Sequence, residues 1–504
     1  MSLDSALSIA AGGLANINAR FALISQNVAN AGTPGYAVEV SSQVAVTANG
    51  VGMGVRTGPA TLQIDQALQA SVTQQTATVS GLQTTQASLQ AIDSVLGTPG
   101  AGNDLGSLLG SLKDGFSALL TDPSNQTQQR AVVSAATTLA RGINALSATY
   151  SAQRQAAQDG LGSAIKTLNS TLATIGRLSN QIIALKPTSQ GTADLENQRN
   201  AAVQTLTQLL DVKTVAQPNG DLSIFTASGL TLPTRGGAAP FSQPGGSTPV
   251  ASYYPGGGIP GITLAGADVT SQMTGGQVGA DIALRDTTLP AGQAELDEFA
   301  QGLSSRFAGQ GLTLFTDASG NVPSDGGTPA QAGYVGYGAT IQVNAAVVAT
   351  PSLVRDGTAS VASTGFIPNP SGGPAGFTTL ITDVVNFTFG TQSQSGIAQP
   401  AMNANGLGPS GNLTLSFNPA GNSLSGFATN LVSSRAQLSA STTNNLAAEQ
   451  ALQTSLNAKV TSVSGVNMDT EMSQMLTLQN AYSANARVIS AAQSMFNQLL
   501  QSVQ

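Results

Sequence analysis

Two stretches at the ends of the chain decide its fold: LDSALSIAAGGLANINARFALISQNVAN (residues 3–30) and MDTEMSQMLTLQNAYSANARVISAAQSMFNQLLQSV (residues 468–503). In each, apolar or small residues recur at alternating steps of three and four, as in the a and d positions of a heptad repeat. The N-terminal stripe contains Leu3, Leu7, Ala10, Leu14, Ile17, Phe21, Ile24 and Val28. The C-terminal stripe contains Met468, Met472, Met475, Tyr482, Ala486, Ile489, Phe496, Leu500 and Val503, with Gln479 and Gln493 in the two remaining slots. Free ends usually fray, so these stripes predict that the two ends meet each other or meet copies of the chain.

The composition narrows the kinds of partner. Of 504 residues only 9% are charged, the formal net charge is −7, and aromatic residues make up 4% with no Trp. A mildly acidic chain without a basic stripe is not typical of nucleic-acid-binding proteins. The length exceeds what one hydrophobic core supports, so we expect several domains.

The residues that carry most enzyme chemistry are missing or unsuitably placed. The sequence contains no Cys and no His, which excludes disulfides and thiol catalysis and removes the commonest general base and metal ligand. Glu295, Asp297 and Glu298 lie close together, but we interpret them as a solvated helix face rather than a glycosidase carboxylate pair. The run DASGN (residues 317–321) lacks the closing Glu of an EF-hand and indicates a turn. We therefore predict no catalytic residue, no metal and no cofactor.

Targeting and membrane segments are not predicted either. A cleavable signal needs basic residues followed by a continuous apolar run, whereas the first basic residue here is Arg20 and the apolar residues are periodic. No stretch approaches the ~18–20 consecutive apolar residues of a membrane span. We expect no membrane insertion, and any export should use a route that cleaves no signal.

Helical patterns dominate both halves of the chain. Apolar spacing predicts helices over 3–30, 60–97, 104–121, 126–185, 192–212 and 276–310, and from about 425 to the end with a break at 464–467. Gly12 and Gly13 lie inside the first helix, and we interpret their small size as allowing a neighbouring helix to approach closely. The first helix is predicted to stop at NAGTPG (residues 30–35), a run of turn-forming residues.

Strand patterns lie between these helices. Residues 36–57 alternate Val with other residues and indicate a β segment with a turn at Asn49-Gly50. Segments 213–275 and 312–420 are rich in Gly, Pro, Thr and Ser. Their short apolar runs, such as 222–225, 339–343 and 413–417, predict short strands.

The order of these elements indicates a multidomain α+β fold. The terminal helices would pair in a coiled-coil-like stalk, next to an elongated helical bundle that carries inserted β-rich outer domains. We predict four domains with the following boundaries: a terminal helical assembly domain of 1–60 plus 461–504, a helical bundle of 61–212 plus 276–311 plus 421–460, a small β-rich insertion at 213–275, and an outer β-rich domain at 312–420.

Four segments resemble, in order, the bacterial flagellar hook-associated protein 1 family. SQNVANAGTPGY (residues 25–36) is similar to the motif that begins all rod, hook and hook-associated proteins. DLENQRN (194–200) resembles the family's D-L-x-D-Q-R-D helix, with Asn197 and Asn200 in place of its second and last Asp. GGQVGADIALRD (275–286) resembles its G-G-x-L-G-G-L-L-x-x-R-D helix. SGVNMDTE (464–471), with the later run 479–496, resembles its C-terminal pattern.

The resemblance implies a structural subunit that joins the hook to the filament and has no enzymatic activity. It implies secretion through the flagellar type III apparatus, with a cytoplasmic export chaperone. Outside the cell, at the hook–filament junction, it implies self-association in a helical ring, with hook protein on one side and the next hook-associated junction protein on the other. The two terminal stripes would form the assembly interface.

Three alternatives stay open at this point. A hook or distal-rod subunit would share the terminal motifs, but the long helical block 126–212 favours the junction protein, because hook proteins lack it. A secreted glycan-acting enzyme would place its site in the β-rich region, and the missing His and Cys weigh against it. The terminal stripes could also close only on each other within one chain.

Overall fold

A computed structural model describes residues 3–48, 51–98, 100–188, 190–235, 239–324, 327–419 and 423–503. Helices make up most of it. They are α1 (Leu3–Ala29), α2 (Gln66–Leu96), α3 (Leu105–Thr121), α4 (Gln126–Leu185), α5 (Ala193–Leu209), α6 (Gly276–Ala283), α7 (Leu289–Gly309), α8 (Tyr337–Thr340), α9 (Ala345–Ala349), α10 (Leu353–Asp356), α11 (Thr379–Asp383), α12 (Leu424–Ser464) and α13 (Met468–Val503). The long helices agree with the predicted ones to within a few residues.

Short antiparallel strands connect the helices. They are β1 (Glu39–Ala48) with β2 (Val51–Leu62), β3 (Val212–Ala216) with β4 (Leu222–Thr226), β5 (Phe241–Ser242), β6 (Thr263–Leu264) and β7 (Ala267–Asp268) in one sheet, β8 (Phe315–Thr316) with β9 (Gln342–Val343), β10 (Gln392–Gln394) with β11 (Ile397–Ala398), and β12 (Asn405–Leu407) with β13 (Leu413–Thr414). The turn predicted at Asn49-Gly50 lies outside the described residues.

The centre of the fold is α4, a helix of 60 residues. The side chain of Asn125 caps its first turn by accepting hydrogen bonds from the main-chain N–H groups of Thr127 and Gln128. Pro187 follows its end and cannot continue the helical hydrogen bonds. At 1.5 Å per residue the helix is about 90 Å long. Its apolar stripe is buried along most of that length, so α4 belongs to two hydrophobic cores in succession.

The first half of α4 lies in the larger core. Leu139, Ile143 and Leu146 pack there with apolar side chains of α2, α3, α7 and α12. Aromatic rings occupy its centre, where the ring centroids of Phe307 in α7 and Phe116 in α3 lie 5.7 Å apart. Burying side chains of this size contributes roughly 1.5–3 kcal/mol each, so this core is the main source of stability in the bundle.

The second half of α4 lies in a separate core that it forms with α5 and strands β3 and β4. Leu168 and Leu172 pack there with Leu206 of α5 and Ile224 of β4. The segment 213–275 does contain strands, β3 to β7, and the predicted run 222–225 lies in β4. Their apolar side chains share this core with the helices.

The segment 312–419 is mostly irregular, and the prediction that it is β-rich is wrong. Its strands are two or three residues long and alternate with the short helices α8 to α11. Of the predicted run 339–343, the first two residues lie in α8 and only the last two form a strand, β9. The run 413–417 forms a strand only in its first two residues. The apolar side chains of this segment lie in the larger core. These side chains pack against α4 and α7, and helices can cover them without a sheet.

Buried carboxylates of α7 bind the main chain of this irregular segment. The N–H groups of Gly336 and Gly338 donate hydrogen bonds to Asp297 at 2.7 and 2.8 Å, and that of Asn403 donates to Glu298 at 2.7 Å. The predicted solvated face is therefore wrong, because Asp297 and Glu298 are both buried. Irregular main chain lacks a strand partner, so its buried N–H groups need other acceptors.

Glu295 is buried on the same helix and forms an ion pair with Arg435 of α12. Its Oε1 accepts a hydrogen bond from the N–H of Ser416 at 2.8 Å, and its Oε2 accepts one from Arg435 Nε at 3.1 Å. All three acids of α7 thus have protein partners, an arrangement that positions loops rather than a glycoside substrate. The run 317–321 is a turn, as predicted: Asp317 Oδ1 accepts hydrogen bonds from the N–H groups of the second and fourth residues after it.

Candidate assembly interface

The two ends of the chain pack against each other through α1 and α13. Ile17 and Ile24 of α1 form a small buried cluster with Leu478 of α13. Partly buried side chains surround it: Phe21, Val28, Met475 and Ala481. The apolar seam between the ends therefore closes within one chain, over part of its length.

Two contacts show that the helices run antiparallel. Asn27, near the end of α1, donates a hydrogen bond to Glu471, near the start of α13, at 3.5 Å. Gly13, in the first half of α1, lies beside Asn485, farther along α13. A Cβ atom on Gly13 would be 3.2 Å from Asn485 Oδ1, so the absence of a side chain at Gly13 allows the close approach that the sequence predicts.

A buried polar cluster, which we call the joint, connects this helix pair to the rest of the molecule; it consists of Asn27, Tyr36, Ala37, Glu39 and Asn197. Asn27 Oδ1 accepts hydrogen bonds from the N–H of Glu39 and the hydroxyl of Tyr36, both at 3.0 Å. Asn27 Nδ2 donates one to the carbonyl oxygen of Glu39 at 2.9 Å. These bonds fix the path of the chain where it leaves α1 and enters β1.

The bundle side of the joint comes from α5 and the end of α12. The side-chain amide of Asn197 in α5 forms hydrogen bonds with the main chain of Ala37, and its Nδ2 also donates to Glu39 Oε1 at 3.2 Å. The N–H of Val38 donates to the carbonyl oxygen of Ser464, the last residue of α12, at 2.8 Å. Three separate parts of the sequence thus meet at residues 37–39.

The electrostatics of the joint are dominated by carboxylates. Burial raises the pKa of Glu39, and the negative charges of Asp194 and Glu196 raise it further, whereas the hydrogen bond from Asn197 lowers it. Burial, with the charge of Glu39, also raises the pKa of Tyr36 above its ordinary range. Tyr36 therefore stays protonated and remains a hydrogen-bond donor to Asn27.

The predicted interface residues fall into three groups. Two are buried in the helix pair, namely Ile17 and Ile24. Five are half-buried, namely Leu14, Phe21, Val28, Met475 and Ile489. Six are exposed, namely Leu7, Met468, Met472, Tyr482, Phe496 and Leu500. The side chain of the remaining one, Leu3, lies outside the described residues.

The side of α13 that faces α1 is offset from the predicted stripe. Glu471, Leu478 and Ala492 are buried, and the half-buried Asn485 continues their seven-residue spacing. Part of the predicted stripe, such as Met472, occupies positions one residue later, whereas Met475 and Ile489 lie three residues before the contact positions and stay half-buried. One residue corresponds to a rotation of roughly 100° on a helix, so Met472 lies at the flank of the contact. Sequence reasoning missed Glu471 and Asn485 because it followed apolar residues, whereas both contact α1 through polar atoms.

Exposed apolar side chains form two strips on α13, one on each side of the contact with α1. By helical spacing, the first strip comprises Met468, Met472 and Leu476, and the second comprises Val488 and Met495. Leu499 is also exposed, but it lies seven residues after Ala492 and therefore continues the contact line beyond the end of α1. Beyond the two strips the contact itself ends, because α13 has 36 residues and the antiparallel α1 has 27. Phe496 and Leu500 lie in this overhang, which explains their exposure.

The hairpin β1–β2 adds a second partly apolar surface next to α1. A Cβ atom on Gly54 in β2 would lie 3.7 Å from Ile9 of α1, so the strand and the helix are in close contact. Val40, Val44 and Met53 of the hairpin are exposed. Exposed Val and Met on a hairpin edge are typical of contact surfaces.

Helix α1 also bears on the prediction that nothing in the chain could span a membrane. By length and composition its residues Asp4–Ala29 could do so, a property shared with the core helices of many proteins and with N-terminal signal sequences. By length and composition, therefore, the prediction that no segment could span a membrane is wrong for α1. In the fold, Asn16 and Asn27 are buried on this helix, which suits a protein contact better than lipid.

Comparison with known proteins adds to this geometry. Residues 89–321 match the family described as flagellar hook-associated protein FlgK helical domain, and residues 459–502 match the C-terminal family of the flagellar basal body rod FlgEFG proteins. The flagellar hook-associated protein 1 of Escherichia coli (strain K12) is 24% identical, over 99% of this chain and the whole of that protein. The family matches and the near full-length relative support a flagellar hook-associated protein 1. A solved structure, the flagellar hook junction protein FlgK from Burkholderia pseudomallei, is 26% identical over 51% of this chain and 46% of that one, with a TM-score of 0.39.

The two family matches divide the chain in a way that fits its structure. The match to the rod proteins covers α13, which carries half of the terminal helix pair. The match to the FlgK helical domain runs from α2 to β8 and includes α4 and both halves of its stripe. Helix α13 is thus the part that resembles the flagellar rod proteins, and the segment from α2 to β8 is the part that resembles the FlgK helical domain.

Proposed function

We propose that this chain is a structural subunit of the bacterial flagellum at the junction between hook and filament, and that the terminal pair α1–α13 is its assembly element. The observation that carries the proposal is the pair of apolar strips on α13, left exposed after α1 is packed. Apolar strips of this kind are typical of protein contacts. The family membership gives those contacts their setting in the flagellum.

The arrangement of the strips favours contacts on two sides. The first strip, with Met472, and the second, with Met495, face different directions from the same helix. A neighbour against each strip would see a different surface, which is a heterologous contact. Heterologous contacts generate rings or open helical arrays rather than closed dimers. We infer that copies of the chain stand side by side in a helical ring, with the overhang at Phe496 and Leu500 reaching the next layer.

The partners and location follow from the family. We propose that hook protein lies on one side of the ring and the next hook-associated junction protein on the other. The chain would leave the cell through the flagellar type III apparatus, with a cytoplasmic export chaperone covering the apolar terminal strips beforehand. The helical bundle, which has its own two hydrophobic cores, would then take no part in the contacts along the flagellar axis. A hook or distal-rod role would use the same terminal pair, but it would not call for the helical domain around α4.

The test is electron microscopy and motility of a strain that lacks the gene. We expect basal bodies and hooks of normal length, no filaments, flagellin released into the medium and non-motile cells. Re-expression of the intact chain should restore filaments. Loss of the hooks themselves would assign the chain to the hook or rod instead, and normal filaments on the deletion strain would refute the role.

A further inference from the structure

A cleft of about 320 Å³ lies between the C-terminal half of α7 and the loops around β10. Its wall includes Ser305 and Arg306 of α7, Ser363 and Ser393 from the loops and strand, and Met402. Most of these groups are neutral hydroxyls or amides, and the cleft is far from the terminal helix pair in sequence. Its size suits a small polar molecule rather than a peptide.

Arg306 is the unusual member of this wall. Its side chain is 7% exposed, and no protein group among the described residues accepts a hydrogen bond from either terminal nitrogen, Nη1 or Nη2. Burial lowers the pKa of Arg306 to about 10, and no nearby carboxylate counteracts that effect. The guanidinium group nevertheless remains charged at neutral pH. A buried charge without a partner is strongly unfavourable.

Other buried arginines of the chain show what a satisfied guanidinium looks like here. Arg285 pairs with Asp286 at 2.7 Å, and Arg435 pairs with Glu295. Arg154 donates hydrogen bonds to three main-chain carbonyl oxygens. Arg306 is buried to a similar degree, yet its two terminal nitrogens have no partner among the described residues.

The chemistry of the wall limits what that partner is. A planar guanidinium matches a carboxylate with two parallel hydrogen bonds. Glu298 also lines the cleft, and its negative charge disfavours a doubly charged anion such as sulfate or phosphate. Its own oxygens already accept hydrogen bonds from Tyr334 and Asn403. We infer that this cleft binds a small carboxylate-bearing molecule, with the Arg306 guanidinium as its charged partner and the Ser363 hydroxyl as an additional donor.

The test uses the full-length chain and sodium acetate as the probe, with acetamide and sodium chloride as neutral and anionic controls at constant ionic strength. We expect saturating acetate to raise the Tm of the bundle by about 3 °C, and acetamide and chloride to leave it unchanged. Isothermal titration of acetate into the chain should give the same dissociation constant as the dependence of Tm on acetate concentration. Chloride acting as well as acetate would overturn the carboxylate class.

Two variants connect the effect to Arg306. Arg306→Met removes the buried charge, so without acetate its Tm should equal or exceed that of the wild type, and acetate should no longer shift it. Arg306→Lys keeps a charge without the planar fork, so we expect acetate to bind about tenfold more weakly. Arg130→Met, an exposed arginine of α4, should respond like the wild type. An unchanged acetate response in Arg306→Met, or no saturable response in the wild type, would refute the site.

Discussion

The side-chain amide of Asn197 in α5 binds the main chain of Ala37 twice: Oδ1 accepts a hydrogen bond from the Ala37 N–H, and Nδ2 donates one to the Ala37 carbonyl oxygen, both at 3.0 Å. An amide can do this because it carries a donor and an acceptor side by side. An ionised carboxylate has no donor and cannot form the second bond. The family motif that this segment resembles has Asp at this position. The joint between the terminal pair and the bundle is therefore built for Asn in this chain.

We predict that Asn197→Asp weakens the joint. The substitution removes the donor to the Ala37 carbonyl oxygen and places a second carboxylate beside Glu39, which should cost about 2 kcal/mol or more. Hydrogen exchange at the N–H groups of residues 37–39 should accelerate, and acid should partly restore protection because a protonated Asp can donate again. Asn200→Asp, one turn later on the same helix, is the matched control, and equal acceleration in both variants would contradict the role of Asn197.

We predict that the ion pair of Arg435 and Glu295 is costly to break from one side only. Arg435→Met leaves a buried carboxylate without its cation and should lower the free energy of unfolding by roughly 3–5 kcal/mol. Adding Glu295→Gln should recover a large part of this loss, because the charge is then removed while Oε1 still accepts from Ser416. Urea unfolding of Arg435→Met, Glu295→Gln and the double variant measures the coupling. Additive losses would show that the pair acts as two independent contacts.

A surface pair provides the comparison. Arg235 and Asp221 also form an ion pair, but the side chain of Arg235 is half exposed. Exposed pairs contribute about 0–1 kcal/mol, so Arg235→Met should change the free energy of unfolding by less than about 1 kcal/mol. A loss as large as that of Arg435→Met would mean that burial is not the deciding factor.

Stability should fall as the pH rises from about 4 to about 7 because of Asp281 in α6. Burial raises the pKa of Asp281 to about 7 from an ordinary value of 3.8, and its hydrogen bond from Gln277 is long, at 3.5 Å. The folded state therefore holds a proton that the unfolded state releases, so the stabilisation is present at low pH and is lost as the pH approaches 7. Burial has the same effect on Asp297, whose pKa is also raised to about 7.

Asp281→Asn tests this directly. It should stabilise the chain at pH 8 by on the order of 3 kcal/mol, because the ionised carboxylate no longer has to be buried. The slope of stability against pH should become shallower without vanishing, since Asp297 still contributes. Urea unfolding between pH 4 and pH 8 gives both quantities. An unchanged slope would show that Asp281 titrates normally.

We predict different effects from two faces of α13. Ile489 is half-buried, three turns beyond Leu478 on the side that faces α1, so Ile489→Asp should open the helix pair within the monomer. Met472→Asp lies on an exposed strip and should leave the monomer unchanged but prevent capping of the hook. Ser490→Asp, exposed and about four turns beyond the last residue of the first strip, Leu476, should assemble nearly normally. Secretion, motility and hook-end occupancy distinguish the three variants. Normal assembly of Met472→Asp would remove that strip from the interface.

The sequence predicted the long helices well because each has a clear stripe and clear ends. Helix α4 was predicted with its observed bounds, since Asn125 caps its start and Pro187 follows its end. The irregular segment 312–419 was less predictable. A short apolar run such as 339–343 has the composition of a strand, yet its burial against α4 and α7 depends on contacts from distant parts of the chain.

The contact between α1 and α13 was also predicted only in part, because it too depends on distant parts of the chain. Ile17 and Ile24 lie in the helix pair, as their apolar spacing predicted. Asn27 and Glu471 were missed because polar residues inside a stripe carry no periodic signal of their own. Their hydrogen bond sets the register of the two helices, and that register moves residues such as Met472 to an exposed flank. The outcome depends on pairing across more than four hundred residues, which spacing alone does not encode.

The large sequence separation between paired helices also determines how late in synthesis the fold can be completed. Gln75 of α2 donates hydrogen bonds to the carbonyl oxygen and to the carboxylate of Glu449 in α12, 374 residues later. Until α12 has been synthesised, α2 has no partner along that face, and α1 has none until α13 follows. Until both helices have been made, a nascent chain therefore lacks the partners of α1 and α2 and cannot complete either helix pair.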